Sequence, residues 1–160
     1  MRTLLTGGVK SGKSRRALEL AADFPAPRSF LATATAFDDE MRDRIGRHRA
    51  ERAGAFDTVE EPVDIDRALR ASMILDCIPM WLNNLFYQGR EAEWEGILDR
   101  LVAALPRDIV IVTNETGMGV IPADPVSRRY GMVLGLANAR LAAAADRVEL
   151  MVAGIPLKVK

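Results

Sequence analysis

"GGVKSGKS", residues 7–14, matches the pattern G-x-x-x-x-G-K-[ST], with Gly7, Gly12, Lys13 and Ser14 in register. The apolar "TLLTG" before it reads as a buried strand. "SRRALELAADF" after it reads as a helix, with Ala17, Leu20, Ala21 and Phe24 on one face. A glycine-rich turn between a strand and a helix has a definite chemistry. Glycine lets the backbone curl so that several N–H groups within Gly7, Gly8, Val9, Lys10, Ser11, Gly12, Lys13 and Ser14 point at one anion. The helix that follows presents its positive end to the same point. Lys13 is then placed to reach the β and γ phosphates of a nucleotide, and the Ser14 hydroxyl suits Mg²⁺.

Working outward, short apolar runs alternate with longer amphipathic ones. "SFLATAT", "SMILDC", "DIVIVTNE" and "VELMVAG" read as strands, with "IPLKVK" as a possible added edge. "DDEMRDRIGRHRAER", "WLNNLF", "EWEGILDRLVAAL" and "PVSRRYGMVLGLANARLAAAAD" read as helices. "YQGR" separates the middle two, and the last is helical despite Gly131 and Gly135. Continuously apolar strands separated by helices imply a mainly parallel sheet covered on both faces. With the phosphate loop, the expected fold is an α/β P-loop NTPase of the RecA-like kind, residues 1–160 forming one nucleotide-binding domain. Two segments of length read as loops, "AGAFDTVEEP" from Ala53 and "ETGMGVIPADP" from Glu115.

Composition narrows the choice further. The chain has 160 residues, enough for one domain with a core. Its 22 basic residues balance 22 acidic ones, so no excess charge points to nucleic acid or to an anionic membrane surface. No apolar run approaches the roughly 20 residues of a membrane span. "MRTLLTGG" is too short an apolar run for a signal peptide. Cys77 is the single cysteine, which excludes an internal disulfide and a cysteine metal cluster. The expectation is a cytoplasmic protein.

A phosphate loop that uses Mg²⁺ needs a second oxygen ligand. Asp76 ends the strand "SMILD", where ligands bind in open α/β sheets, and Glu115 ends "VTNE" and competes for the role. The one histidine, His48, lies in "RIGRHRAER", residues 44–52, among Arg44, Arg47, Arg49 and Arg52. On a helix, Met41, Ile45, His48 and Arg52 share one stripe, so His48 continues an apolar row. Two readings of it stand: a packed, hydrogen-bonded core histidine, or a nucleophile. Neighbouring cations disfavour imidazolium, and a neutral ring has a lone pair that attacks phosphorus. The same arginines would stabilise the charge that develops on phosphoryl oxygens.

Together, "TGGVKSGKS", "LATATAFDDEMRDRIGRHRAER", "TVEEP", "LDC" with "WLNNL", "VTNETGMGVIPADPVSRRYG" and "NARLAAAADRVELMVAGIPLKVK" span nearly the whole chain. In that order they resemble the bifunctional adenosylcobinamide kinase/adenosylcobinamide-phosphate guanylyltransferase family of cobalamin biosynthesis. The resemblance implies two reactions. A triphosphate, GTP or ATP, phosphorylates the aminopropanol hydroxyl of adenosylcobinamide. GTP then donates GMP to an active-site histidine, and the GMP passes to adenosylcobinamide phosphate, giving adenosylcobinamide-GDP. The family's guanylylated histidine matches His48. Its nucleotide contacts match Gly7 to Ser14, Ala32, Thr33 and Ala34, His48 with Arg49, Ala50 and Glu51, then Glu60 and Asp76. The phosphate-loop reading puts Mg²⁺ on Ser14 and Asp76, with Asp76 equally open to reading the base, and the resemblance implies a homotrimer. A carboxylate that accepts from the guanine N1–H and amino group discriminates against adenine; Glu60 and Asp76 both suit the part. Met118, Val120 and Ile121 in "TNETGMGVIPADP" suit a covering role over an apolar substrate or a neighbouring subunit.

The chain departs from the family pattern where relatives often carry "DCLTLWLSNLL" and this sequence has "DCIPMWLNNLF". Pro79 there removes a backbone donor. The proline that usually follows the arginines of the histidine helix is Ala53 here. Two rival functions remain from the residues alone: a plain small-molecule kinase that transfers only the γ phosphate, and a regulatory protein that binds GTP without turning it over.

Overall fold

The computed structural model describes residues 1–36, 39, 42, 43, 46, 49 and 54–160. His48, Ala50 and Glu51, and with them Met41, Arg44, Ile45, Arg47, Arg52 and Ala53, lie outside the described residues.

The strands are β1 (Arg2–Gly7), β2 (Ser29–Ala32), β3 (Asp57–Glu60), β4 (Ser72–Asp76), β5 (Asp108–Val112), β6 (Arg147–Val152) and β7 (Ile155–Lys158). The helices are α1 (Lys13–Ala21), α2 (Ile78–Tyr87), α3 (Trp94–Ala104) and α4 (Pro125–Ala144), with 3₁₀ turns at Ile65–Ala68 and Glu91–Glu93. Asp39, Arg42, Asp43, Gly46 and Arg49 have helical backbone and are exposed.

The seven strands run in the order β3-β2-β4-β5-β1-β6-β7. All neighbours are parallel except β6 and β7, which form an antiparallel hairpin at one edge. This is the expected α/β sheet, and the pleat explains how it is covered. On β1, Leu4 faces α2, α3 and α4, while its neighbour Leu5 faces α1. Met73, Leu75, Ile109 and Ile111 join Leu4; Ile74, Val110 and Val112 join Leu5. Buried on both faces, these strands have no polar side to show, which is why they read as unbroken apolar runs.

The larger core centres on Trp81 of α2, which is fully buried and whose indole N–H donates to the Val63 carbonyl at 2.8 Å. α2 begins just after Cys77 and carries Pro79 in its first turn, where the missing N–H costs no intrahelical bond. α4 starts at Asp124, whose carboxylate accepts from Ser127 N–H at 2.7 Å, with Pro125 as first helical residue. That cap helps to offset the roughly 1 kcal/mol that each of Gly131 and Gly135 costs a helix interior.

One expectation is corrected. "AGAFDTVEEP" contains the edge strand β3 over Asp57–Glu60, paired in parallel with β2. Its side chains are exposed or half-buried, so no apolar alternation marks it. Pairing to β2 makes it a strand.

Candidate functional site

The phosphate loop closes on itself. Gly7 has φ 144°, Lys10 54° and Gly12 97°. Gly7 has a second reason to lack a side chain: a Cβ there would lie 2.6 Å from the Met151 carbonyl oxygen and 2.9 Å from Ser11 Oγ. Lys13, at the head of α1, is buried. Its ammonium donates to the Gly7 carbonyl at 3.0 Å and the Gly8 carbonyl at 2.6 Å, with Ser11 Oγ at 3.5 Å. These oxygens replace the water that a buried cation gives up. Val9 and Lys10 are exposed at the tip, Ser11 is buried, and Ser14 is half-buried in the first turn.

The loop is braced from a direction the sequence does not reveal. The β6–β7 hairpin turns through Ala153 (φ 50°) and Gly154 (φ 84°), and Gly154 N–H donates to the Ser11 carbonyl at 3.1 Å. A Cβ on Gly12 would stand 3.3 Å from Gly154 Cα, so the two glycines set the closeness of loop and hairpin.

Register fixes the rest. Glu60 pairs with Ala32, Ala32 with Asp76, Asp76 with Val112, Val112 with Leu5, and Leu5 with Glu149. One transverse row thus holds both candidate carboxylates and the strand that enters the loop. Residues in one row share a face, here that of α1, against which Leu5, Val112 and Ala32 pack. Asp76 stands two strand spacings from Leu5, about 10 Å, and Glu60 four, about 19 Å.

Ala32 ends β2, and Thr33 follows it fully buried. The Thr33 hydroxyl donates to the Cys77 carbonyl at 2.7 Å and accepts from Cys77 N–H at 2.9 Å. It is therefore engaged in fixing the turn after Asp76. Ala34 is half-buried beyond it. The Asn84 amide of α2 donates to the Thr33 carbonyl at 2.7 Å and the Pro62 carbonyl at 2.9 Å, tying together the segments that leave β2 and β3. No motif marks Asn84 for this work. Glu60 is exposed and lies 3.6 Å from the Arg49 guanidinium, so the arginine next to His48 in sequence reaches the β3 edge.

Glu149, at the far end of the row, is buried with its carboxylate on Arg16 of α1. Arg16 Nε donates to one oxygen at 2.9 Å and Nη2 to the other at 3.1 Å, and Arg147 also contacts the group. Hydrogen bonding to Arg16, with its charge, holds the Glu149 carboxyl below the usual glutamate range despite burial. The pair ties the helix that follows the loop to β6.

Glu115, the other carboxylate considered at the sequence level, donates its N–H to the Gly7 carbonyl at 3.3 Å. Its side chain lines a cavity on the α4 side of the sheet. For Mg²⁺, the described residues contain no cluster of three or more His, Cys, Asp or Glu side chains. The available donors are the Ser14 hydroxyl and a carboxylate. Such hard oxygens fit an ion that keeps waters and leans on nucleotide phosphates.

A family model described as cobinamide kinase / cobinamide phosphate guanyltransferase matches residues 3–159. The chain is 41% identical over 170 residues to the bifunctional adenosylcobalamin biosynthesis protein CobP of Pseudomonas aeruginosa, covering 100% of this chain and 98% of the relative. It is 35% identical over 182 residues to the bifunctional adenosylcobalamin biosynthesis protein CobU of Escherichia coli, with both chains covered in full. The protein of that name from Salmonella typhimurium is 36% identical over the same length, again with full coverage of both.

Proposed function

Since the chain belongs to the cobinamide kinase / cobinamide phosphate guanyltransferase family, we propose that it phosphorylates adenosylcobinamide and then guanylylates the product through a GMP intermediate on His48. The observation that carries the nucleotide part is the buried Lys13, its ammonium resting on the Gly7 and Gly8 carbonyls at the head of α1.

The residues divide the work as follows. Backbone N–H groups from Gly7 to Ser14 bind phosphate, and Lys13 moves from its own carbonyls onto the phosphate oxygens. Ser14 and Asp76 hold Mg²⁺, which neutralises phosphate charge when bound. Asp76 takes this part because it stands nearer the loop; Glu60, farther out in the row, reads the guanine edge. Ala32, Thr33 and Ala34 floor the site between them. Arg49, with Ala50 and Glu51, frames the nucleotide beside His48, whose neutral ring attacks the α phosphorus and expels pyrophosphate. The acceptor's phosphate oxygen then displaces the histidine and takes the GMP.

The whole chain acts as one nucleotide-binding domain in the cytoplasm, where GTP and ATP are available. It assembles as a homotrimer. Val120, Ile121, Ile155 and Leu157 are each more than half exposed, apolar surface that a subunit contact would cover.

The test is incubation with GTP labelled at the α phosphate together with Mg²⁺. Acid-labile, alkali-stable label on the protein, with a mass gain of one GMP, is expected for the wild type and absent from His48→Ala. Label that survives in the variant removes His48 from the mechanism. A plain kinase or a GTP-binding regulator leaves no α label at all.

A further inference from the structure

Between α4 and the β1–β6–β7 side of the sheet lies a cavity of about 380 Å³. Met118, Gly135, Leu150 and Val159 are among its lining, and most of its wall is apolar. Its polar lining residues are Thr6, Glu115 and Asn138, the last already engaged with Thr113 and the Asn114 carbonyl. The Thr6 hydroxyl is buried and has no hydrogen-bond partner among the described residues. A buried hydroxyl left without a partner costs about 1–3 kcal/mol, so it calls for an explanation. Glu115 lines the cavity from the segment that follows β5.

The cavity is coupled to the phosphate site through one atom. The Gly7 carbonyl oxygen accepts both from the Lys13 ammonium at 3.0 Å and from Glu115 N–H at 3.3 Å. Thr6 immediately precedes that same glycine. A mainly apolar cavity with a few converging polar groups is the ordinary form of a small-molecule site. Two of its lining residues adjoin the carbonyl on which the phosphate-binding lysine rests: Thr6 precedes Gly7, and Glu115 N–H bonds to it.

We propose that this cavity receives the hydroxyl-bearing arm of the cobinamide acceptor and that Glu115 is the general base of the kinase step. The inference rests on the kinase activity of the family reading. Carbon atoms of the arm lie against Met118, Leu150 and Val159, and the Thr6 hydroxyl, enclosed in this structure, turns to pair with the arm's polar atoms. The arm's oxygen forms a bond to the γ phosphorus, and the bond from that phosphorus to the β–γ bridging oxygen breaks. The electron pair departs with the nucleoside diphosphate, and the hydroxyl proton passes to the Glu115 carboxylate.

The experiment is a steady-state assay of γ-phosphoryl transfer to cobinamide, with sedimentation run on the same samples. Glu115→Gln is expected to lower kcat by roughly 10²–10⁴-fold, with the KM for nucleotide within about twofold of wild type. Thr6→Val is expected to raise the KM for cobinamide by roughly five- to tenfold, the loss of one hydrogen bond. Gly135→Leu adds bulk at the cavity wall; its Cβ meets nothing within 4 Å, and thermal unfolding of the variant checks that the fold is kept. The substitution should raise the KM for cobinamide by tenfold or more, on the order of 1.4 kcal/mol. An unchanged kcat in Glu115→Gln overturns the proposal. So does a loss that raising Mg²⁺ restores, since Glu115 would then be a metal ligand. A Gly135→Leu protein with altered sedimentation and an unchanged cobinamide KM makes the cavity a subunit contact and also overturns it. Wild-type protein that binds nucleotide but does not phosphorylate cobinamide would remove the functional reading itself, and the unmutated chain reveals that case.

Discussion

The hydroxyl of Thr33 holds both ends of one residue, donating to the Cys77 carbonyl at 2.7 Å and accepting from Cys77 N–H at 2.9 Å. Thr33 follows β2 and Cys77 follows β4, and the strands are paired so that Ala32 stands opposite Asp76. A single buried side chain therefore fixes how the chain turns away from Asp76. We predict that Thr33→Val, equal in shape but without the hydroxyl, destabilises the protein by about 2 kcal/mol, because two half-buried backbone groups lose this hydroxyl. Thr33→Ser should recover most of it. Thermal unfolding of the three proteins measures this, and a Val variant as stable as wild type would refute it.

The phosphate loop separates two adjacent glycines. A Cβ on Gly7 meets the Met151 carbonyl at 2.6 Å with the backbone at φ 144°, whereas one on Gly8 meets nothing within 4 Å. Gly7→Ala should cost about 2 kcal/mol or more through strain and displacement of the β6 backbone. Gly8→Ala should stay within about 0.5 kcal/mol. Denaturant unfolding without nucleotide reads both, and equal losses would show that the contact with Met151 does not set the loop.

Glu149 gives the acid side of the stability profile. Its folded carboxyl titrates below the glutamate range, chiefly through the hydrogen bond from Arg16. The stabilisation is complete above the unfolded pKa of about 4.3 and is lost as pH falls through the lower folded value. Glu149→Gln should cost about 3 kcal/mol at neutral pH, leaving Arg16 and Arg147 without their anion. That corresponds to a Tm lower by roughly 10 °C. The variant should also lose part of the wild-type fall in Tm below pH 4.5. An identical acid profile in both proteins would exclude Glu149 as its source.

Tyr130 governs the opposite limb. Burial pushes its phenol up to about 12, and its O–H donates to the Pro79 carbonyl at 2.8 Å. A folded pKa above the unfolded value of about 10 means stability present below pH 10 and lost as pH rises toward 12. Tyr130→Phe should be less stable at neutral pH by about 1 kcal/mol and should lack this contribution to alkaline unfolding. Tm recorded from pH 8 to 11.5 in both proteins tests the sign. A steeper alkaline loss in the Phe variant would contradict it.

Much of the fold is local in origin and could be read directly. β1, the loop and α1 follow from one continuous stretch, since glycine positions, strand hydrophobicity and helix spacing are all short-range properties. α2, α3 and α4 carry their own signals, and β7 appears as the expected edge. β3 escaped because an exposed edge strand with the sequence "DTVE" has no apolar face; its partner β2 defines it. The bracing of Ser11 by Gly154 escaped because a hairpin 143 residues away carries no mark of where its turn will rest.

The candidate site divides in the same way. The sequence alone determined which residue types are present: the phosphate-binding loop, the carboxylates at strand ends, one histidine among arginines, and the family these make up. Those are matters of chemistry and short-range spacing. Tertiary structure alone decided that Glu60, Asp76 and Leu5 stand in one row, that Lys13 and Glu115 share the Gly7 oxygen, and that Thr6 and Glu115 line one cavity. Each depends on strand order and register, which long-range backbone pairing sets and no local pattern encodes.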